Sequence, residues 1–287
     1  MSERLDLQRR FFAEEVQAVC NLRTPQLVEA LATVPREAFL PPGPWTIRAE
    51  GDYGGPPRQT PDASPRHIYH NISVAIDPAR QLFNGAPGVV AMCIDALGLE
   101  PGDAVLHVGC GRGYYSAIIA ECVGSSGRLT AIDIDPDLAA EAAAGLASRA
   151  HVEARQGNGV EGIPAAAYDA ILVNAGVTHP HGAWLRALKP RGRIVLPLTF
   201  TMPQMGAIGK GVIAVLRDTG SPESLEARVL TMTAIYSAVG IRDAALNDKL
   251  ASAFMHGAWP VFTRLRRDAH EAAPACWLHG EGFCLSA

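Results

Sequence analysis

The residues best placed to do chemistry form the run Val105-Leu-His-Val-Gly109-Cys110-Gly111-Arg-Gly113-Tyr114-Tyr115. Three glycines alternate with other residues between an apolar run that reads as a strand and a stretch that reads as a helix. Glycine lets the chain turn sharply there and brings backbone close to a ligand. The free N–H groups at the start of the helix suit an anion. About twenty residues on, the next apolar run ends at Asp133, where a carboxylate can take the two hydroxyls of a ribose, with Ile134 beside it. Gln156-Gly157-Asn158-Gly159 follows the third expected strand, beside an adenine in this architecture. Asn158 is a candidate for its amino group, although Asn-Gly is equally a turn dipeptide. The fourth strand closes on Asn174, at the carboxyl edge where open α/β sheets bind ligands. Cys110 stands near a helix N-terminus, where a thiol pKa can fall, and is otherwise a small filler.

Two cofactor classes use such a loop. A dinucleotide fingerprint starting at Gly109 needs a small residue at 114, where Tyr114 stands. A frame starting at Gly111 gives G-x-G-x-x-S, a near miss that weakens NAD without excluding it. The spacing G-x-G-x-G fits S-adenosylmethionine better, because its carboxylate is a small anion and no pyrophosphate has to be cradled. The expected cofactor set is Gly109, Cys110, Gly111, Gly113, Tyr114, Asp133, Ile134, Asn158, Gly159 and Asn174. A sulfonium donor passes its methyl group by in-line displacement, so the protein mainly holds the reactants in line. A carboxylate acceptor, with a pKa of about 4, is already ionised and needs no base. A hydroxyl or amine acceptor needs one. His179-Pro-His181 follows Asn174 and is the local base candidate, or else a solvated loop pair. A His-x-His pair with no third ligand nearby gives no reason to expect a metal. His107, inside a strand, is expected to be packed; His67 and His70 flank Tyr69 in a loop and line a pocket or face water.

The elements that must carry these residues follow from periodicity. Residues 3–40 are helical in pattern, with one stripe at Phe12, Val16, Val19 and Cys20 and another at Leu27, Ala30, Leu31 and Val34. The stretch 41–65 holds seven prolines and four glycines and reads as a surface loop outside any sheet. From Pro87 a buried helix runs to a cap at Gly98. Strands are expected at Ala104–Val108, Arg128–Asp133, Val152–Arg155, Tyr168–Asn174 and Gly192–Leu196. Helices are expected at Tyr114–Val123, Pro136–Ser148 and Gly182–Leu188. This alternation predicts an α/β fold with a parallel sheet covered on both faces. Beyond 200, Val212–Leu216 and Val229–Ile235 read as strands and Ala244–Phe254 as a helix; 276–287 gives no reading. The expected regions are 1–86 on the substrate side, 87–200 for the cofactor and 201–287 as an extension.

Composition narrows the function classes. The chain has 287 residues, 48% apolar and 19% charged, which excludes wholesale disorder. With 25 basic and 29 acidic side chains it gives no electrostatic reason to expect nucleic acid as a partner. Arg264, Arg266 and Arg267, followed by Asp268, read as a solvated face. The charged start lacks the apolar core of a secretory signal. No run of 18 apolar residues suggests a membrane span. The six cysteines form no C-x-x-C pair and are expected to be reduced structural thiols in a cytoplasmic protein. Oligomeric state is not readable.

Several stretches together resemble the protein-L-isoaspartate O-methyltransferase family of class I methyltransferases. They are Val34-Pro-Arg-Glu-Ala-Phe39, Leu99–Tyr115, Gly157-Asn-Gly-Val-Glu-Gly162, Tyr168–Ala175 and Leu188–Pro197. The resemblance implies a Rossmann-like fold with a mostly parallel seven-stranded sheet, N-terminal helices, S-adenosylmethionine as donor and a carboxylate as acceptor. The family carries a T-I-S-Q-P-like segment whose serine is associated with the substrate carboxylate. Here Leu82-Phe-Asn84-Gly85-Ala-Pro87 stands there, with Gly85 in the serine's place. The family's G-D-G is also altered, to Gly157-Asn158-Gly159. Asn84, Gly85 and His179 are therefore the catalytic candidates. Gly85 is expected to leave room for a bulkier acceptor, a carboxylate of a peptide or small molecule. The alternatives are an NAD-dependent oxidoreductase and a noncatalytic module that binds S-adenosylmethionine.

Overall fold

A computed structural model describes residues 2–49, 56–255 and 259–287; part of the Pro/Gly-rich stretch, 50–55, lies outside the described residues. The helical N-terminal region is two helices, α1 (Ser2–Cys20) and α2 (Pro25–Thr33), followed by a single 3-10 turn at Arg36–Phe39. The break comes at Asn21, whose φ of 52° is left-handed, and Pro25 then opens α2 at its first turn, where a missing N–H costs nothing. Phe12 and Val16 are buried as expected, but Val19 is exposed.

Residues 41–65 do contribute to a sheet. Strands β1 (Thr46–Ala49) and β2 (Arg58–Gln59) join β3 (Ile72–Asp77) and β4 (Leu82–Phe83) in the antiparallel order β2-β1-β3-β4. The prolines flank these strands rather than interrupt them, so no ladder hydrogen bond is lost. Trp45 and Thr60 tie the strands at one end, the Trp45 N–H donating to Thr60 Oγ1 at 2.9 Å and the Thr60 N–H to the Trp45 carbonyl at 2.8 Å.

Helix α3 (Pro87–Leu97) ends on left-handed Gly98. The chain then alternates: β5 (Ala104–Val108), α4 (Tyr114–Val123), β6 (Arg128–Asp133), α5 (Pro136–Leu146), β7 (Val152–Gln156), β8 (Tyr168–Val173), α6 (Gly182–Ala187) and β9 (Leu188–Phe200). It closes with β10 (Ile208–Asp218), β11 (Ser224–Tyr236), α7 (Ala244–Met255), β12 (Arg264–Arg266), β13 (Cys276–Gly280) and β14 (Phe283–Ser286).

The chain divides into two compact units. The first is Met1–Gly102 with Cys110–Gln156; the second is Asp103–Gly109 with Gly157–Ala287. In the first, β6 and β7 pair in parallel beside α4 and α5. In the second, β5, β8 and β9 are parallel, the expected α/β core. Seven strands were too few: the second unit alone aligns eight, in the order β13-β14-β12-β11-β10-β9-β8-β5. Those beyond β9 are antiparallel and include the unread tail. Strands β9, β10 and β11 run 13, 11 and 13 residues, well past their apolar centres, because their outer ends carry Arg191, Lys210, Arg217 and Glu226. Among the described residues no helix is long and apolar enough to cross a membrane.

Every residue of β5 is buried, His107 completely. Burial disfavours the imidazolium and lowers its pKa to about 3. Between that value and the ordinary value near 6.5 the unfolded chain binds the extra proton. The stabilisation is therefore complete above about pH 6.5 and is lost as pH falls through this window, at roughly 1.4 kcal/mol per pH unit. In urea unfolding, the stability difference between the native chain and His107→Gln should shift with that slope between about pH 6 and 4.5. A difference independent of pH would refute the assignment.

Candidate active site

The loop that leads into α4 is held from the end of β6. Asp133 is 8% exposed; its Oδ2 accepts the Gly111 N–H at 2.7 Å and its Oδ1 accepts the Asp135 N–H at 3.0 Å. Each oxygen keeps a further lone pair. Burial pushes the Asp133 carboxyl above the usual carboxylate range, against the pull of these donors. Gly113 has a φ of 93°, and a Cβ there would lie 3.1 Å from Leu146 Cδ1 and 3.3 Å from Ala142 Cα. No other residue fits so close to α5 in that conformation. Ile134 is 44% exposed, an apolar side chain beside a polar edge. Asp135 caps α5 by accepting the N–H groups of Asp137 and Leu138, and Arg80 pairs with both Asp135 and Asp77. The turn between β3 and β4 is thereby clamped to the end of β6.

Packing favours the filler reading of Cys110 and places the ring of Tyr114. The Cys110 thiol is not lowered: burial, then the charge of Asp133, push its pKa up. Tyr114 does not present its ring to a ligand. It is buried against Tyr115 and Phe39, with ring centroids 5.0 and 6.1 Å away, and Arg36 lies 5.9 Å over its face. Burial pushes its hydroxyl up to about 12.

In the same unit, Asn84 and Gly85 enter α3. Asn84 Oδ1 accepts the Val74 N–H at 2.8 Å and Arg36 Nη2 at 3.3 Å. These two donors fix the orientation of the amide and leave Nδ2, which is buried without a hydrogen-bond partner. Arg36 is itself fully buried and donates to the carbonyls of Ile68, His70 and Ile72. Arg36 belongs to the Val34–Phe39 stretch, and nothing in its residue type shows that it holds Asn84. The Gly85 carbonyl accepts the Tyr115 hydroxyl. The expected free space at Gly85 is absent, since a Cβ there would lie 2.6 Å from Val90 Cγ2.

The second unit carries the remaining candidates. A Cβ on Gly109, at φ 77°, would meet the Asn174 carbonyl oxygen at 3.2 Å, so β5 and β8 end in close backbone approach. Asn158 spends its side chain on its own turn: Nδ2 donates to Glu161 at 3.1 Å and Oδ1 accepts the Val160 N–H at 3.4 Å. The turn reading holds there, and the amide is not held out for an adenine. The Gly159 carbonyl accepts Trp184 Nε1 at 2.7 Å. His181 caps α6, its Nδ1 accepting the Ala183 N–H at 3.2 Å. His179 Nδ1 lies 3.0 Å from Thr178 Oγ1, and its ring stacks on Phe283 at 5.8 Å. Burial lowers both imidazole pKa values, so both rings are neutral near pH 7. Phe283 came from the unread tail, where no motif signalled it.

A glycine loop closed by a buried acid, on parallel strands, is the geometry against which relatives can be compared. The sequence model of the family described as protein-L-isoaspartate(D-aspartate) O-methyltransferase matches residues 58–210. The chain belongs to this family. It is 34% identical over 194 residues to protein-L-isoaspartate O-methyltransferase 1 of Rhodopseudomonas palustris strain HaA2, covering 67% of this chain and 69% of that protein. It is 34% identical over 177 residues to the Aeropyrum pernix protein-L-isoaspartate O-methyltransferase, covering 60% of each chain. Among solved structures, a protein-L-isoaspartate O-methyltransferase matches with a TM-score of 0.61 at 19% identity, over 86% of this chain and 69% of that one. A putative enzyme of the same name from Plasmodium falciparum, in complex with S-adenosyl-L-homocysteine, matches with a TM-score of 0.56 at 13% identity, over 80% and 97%. At these identities the two structures establish the fold.

The packing at Gly85 tests whether the family's serine was simply deleted. Val90 is β-branched and sits in a helix, where its rotamer is stiff. Gly85→Ser should cost about 1–3 kcal/mol of stability through overpacking. A cycle with Val90→Ala should show a favourable coupling of about 1 kcal/mol, read from unfolding midpoints. Strictly additive losses would show that Val90 is not the obstacle.

Proposed function

We propose that the chain is an S-adenosylmethionine-dependent O-methyltransferase whose acceptor is a carboxylate of a peptide. The observation that carries this reading is the glycine loop tied to Asp133. The fit to the donor is supported by three features: the side-chain-free loop at Gly111 and Gly113, the spare lone pairs of Asp133, and the exposed apolar surface of Ile134. When bound, S-adenosylmethionine supplies an electrophilic methyl group on a sulfonium. In our reading the N–H groups at the start of α4 take its carboxylate, since the Gly111 N–H is held by Asp133; Asp133 takes its ribose hydroxyls and Ile134 its flat base. Gly109, Gly159 and Asn174 join this set on their sequence positions alone.

Residues 1–86 are proposed as the acceptor side. The unpartnered Nδ2 of Asn84, with the backbone N–H of Gly85, is proposed to hold the acceptor carboxylate where the family has a serine hydroxyl. A carboxylate attacks as it stands, so His179 has only to shape the rim. An NAD-dependent reading has no support beyond the near-miss glycine frame. We place the protein in a reducing, cytoplasmic compartment, because all six cysteines are free thiols.

Replacing Asp133 by Ala should weaken S-adenosylmethionine ten- to a hundredfold in calorimetry, about 1.5–3 kcal/mol. Asp133→Asn, which keeps an acceptor for Gly111, should lose less. Tight NAD binding with no heat from S-adenosylmethionine would sink the assignment. For the acceptor, labelled methyl transfer should be measured on an isoaspartyl peptide beside its aspartyl counterpart. With no hydroxyl at 85 and the donor one residue earlier at Asn84, a donor off the position that isoaspartyl transfer needs, worth a few kcal/mol, should leave isoaspartyl turnover slow. Rapid, isoaspartyl-selective turnover would show that Asn84 and the backbone fully replace the serine.

A further inference from the structure

Outside the matched residues 58–210, the C-terminal segment gathers two thiols and two imidazoles. One ligand atom from each of His270, Cys276, His279 and Cys284 lies within 4.8 Å of every other. Cys276 Sγ is 3.6 Å from His270 Nε2, and the two imidazole rings are 4.8 Å apart, edge to face.

The fold brings them together by a specific irregularity. In the hairpin of β13 and β14, His279 stands directly opposite Cys284, and Cys276 opposite Ser286. Residues three apart on a regular strand point to opposite faces. The register shifts between Cys276 and Leu278, so that Trp277 is an extra residue on β13. That bulge returns Cys276 to the face of His279 and Cys284, which is how bulges re-aim side chains. His270 reaches the same face from the segment between β12 and β13.

The surroundings match a ligand set. His270 Nδ1 is 2.9 Å from the Asp268 carbonyl, which fixes its ring and turns Nε2 toward the sulfur. Metal-bound histidines are oriented by such a bond on the far nitrogen. The Ala273 N–H points at Cys276 Sγ from 3.3 Å, a donor suited to a thiolate. His279 Nδ1 is buried with no hydrogen-bond partner. A buried polar atom of this kind calls for an explanation, and a bound ion is one.

We propose that His270, Cys276, His279 and Cys284 form a structural zinc site that closes the C-terminal hairpin. The donor set of two sulfurs and two nitrogens selects tetrahedral Zn²⁺ over hard cations. Four protein ligands leave no open position, so the site is structural. Bond lengths of about 2.0–2.3 Å place tetrahedral ligand atoms about 3.3–3.8 Å apart, and the widest pair closes by about 1 Å on binding. Zn²⁺ replaces one proton on each thiol, forming two Zn–S bonds and releasing two protons. In sequence the four residues alternate as His-x₅-Cys-x₂-His-x₄-Cys, without a repeated Cys pair, so residue spacing gives no metal signal there.

The test is metal content and stability of the whole chain purified under reducing conditions. Elemental analysis should find about one zinc per chain. Chelation should lower the melting temperature by more than about 5 °C, and added zinc should restore it. Cobalt in place of zinc should give the intense bands of thiolate coordination. His270→Gln and Cys284→Ser should each lose the metal, and Cys20→Ser should keep it. Because a cysteine variant can fail to fold, the chelation and cobalt results on the native sequence decide independently. Native protein that takes up no zinc or cobalt, or a His270→Gln or Cys284→Ser variant that folds and keeps full metal content, would overturn the proposal.

Discussion

The hydrogen bond from the Gly111 N–H to the Asp133 carboxylate is the constraint on which the loop before α4 depends. A bond to a charged acceptor is worth about 1.5–3 kcal/mol when buried, while a helix N-terminus contributes about 0.3–1 kcal/mol to a nearby anion. The larger effect sets the geometry. It fixes Gly111, and through the covalent chain it fixes Cys110 and left-handed Gly113, the residue from which α4 starts. It also explains the thiol of Cys110. A second negative charge beside Asp133 in a buried place is unfavourable, so the cysteine stays protonated and acts as a small apolar residue.

Backbone oxygens serve as the counterpart for a buried and a half-buried cation elsewhere. Arg36 collects the carbonyls of Ile68, His70 and Ile72 with Asn84 Oδ1, and no carboxylate. Arg242 in the second unit does the same with the carbonyls of Gly176 and Thr199 and the side chain of Asn247. An arginine in this role satisfies several loop carbonyls at once through its fixed fork of donors. Removing it would leave those carbonyls buried and unpaired, at roughly 1–3 kcal/mol each. Both arginines therefore act as staples for irregular backbone, and Arg36 is the one that orients a candidate catalytic amide.

Much of this was legible in the residues. Gly109, Gly111, Gly113 and Asp133 signal themselves because glycine spacing and a strand-end acid have few other uses, and the buried runs of β5, β6 and β8 fall where apolar residues cluster. The failures have separable causes. Strands β1 and β2 were hidden by prolines that lie outside them, and the ends of β10 and β11 by polar residues on solvated faces. Tyr114 was read from its place in a motif, and only tertiary packing against Phe39 and Arg36 shows that its ring belongs to the core. Asn158 was a matter of two uses for one amide, which only the position of Glu161 decides. The cluster of His270, Cys276, His279 and Cys284 depends on a one-residue bulge, which leaves no trace in residue type.

The position of Gly85 shows what a substitution in a motif means physically. Had the serine been lost without compensation, a glycine there would leave a gap of about a hydroxymethyl group. Val90 Cγ2 occupies that space, and the Gly85 carbonyl is taken by the Tyr115 hydroxyl. The space a side chain at 85 would need is taken by an aliphatic branch, and one residue earlier an amide stands with its Nδ2 buried and without a hydrogen-bond partner. A buried donor without a partner costs stability in the free protein. An amide N–H is a donor that a carboxylate can accept at any pH above its own pKa. In the proposed reading the donor of the acceptor side is Asn84, one residue before the position of the family's serine.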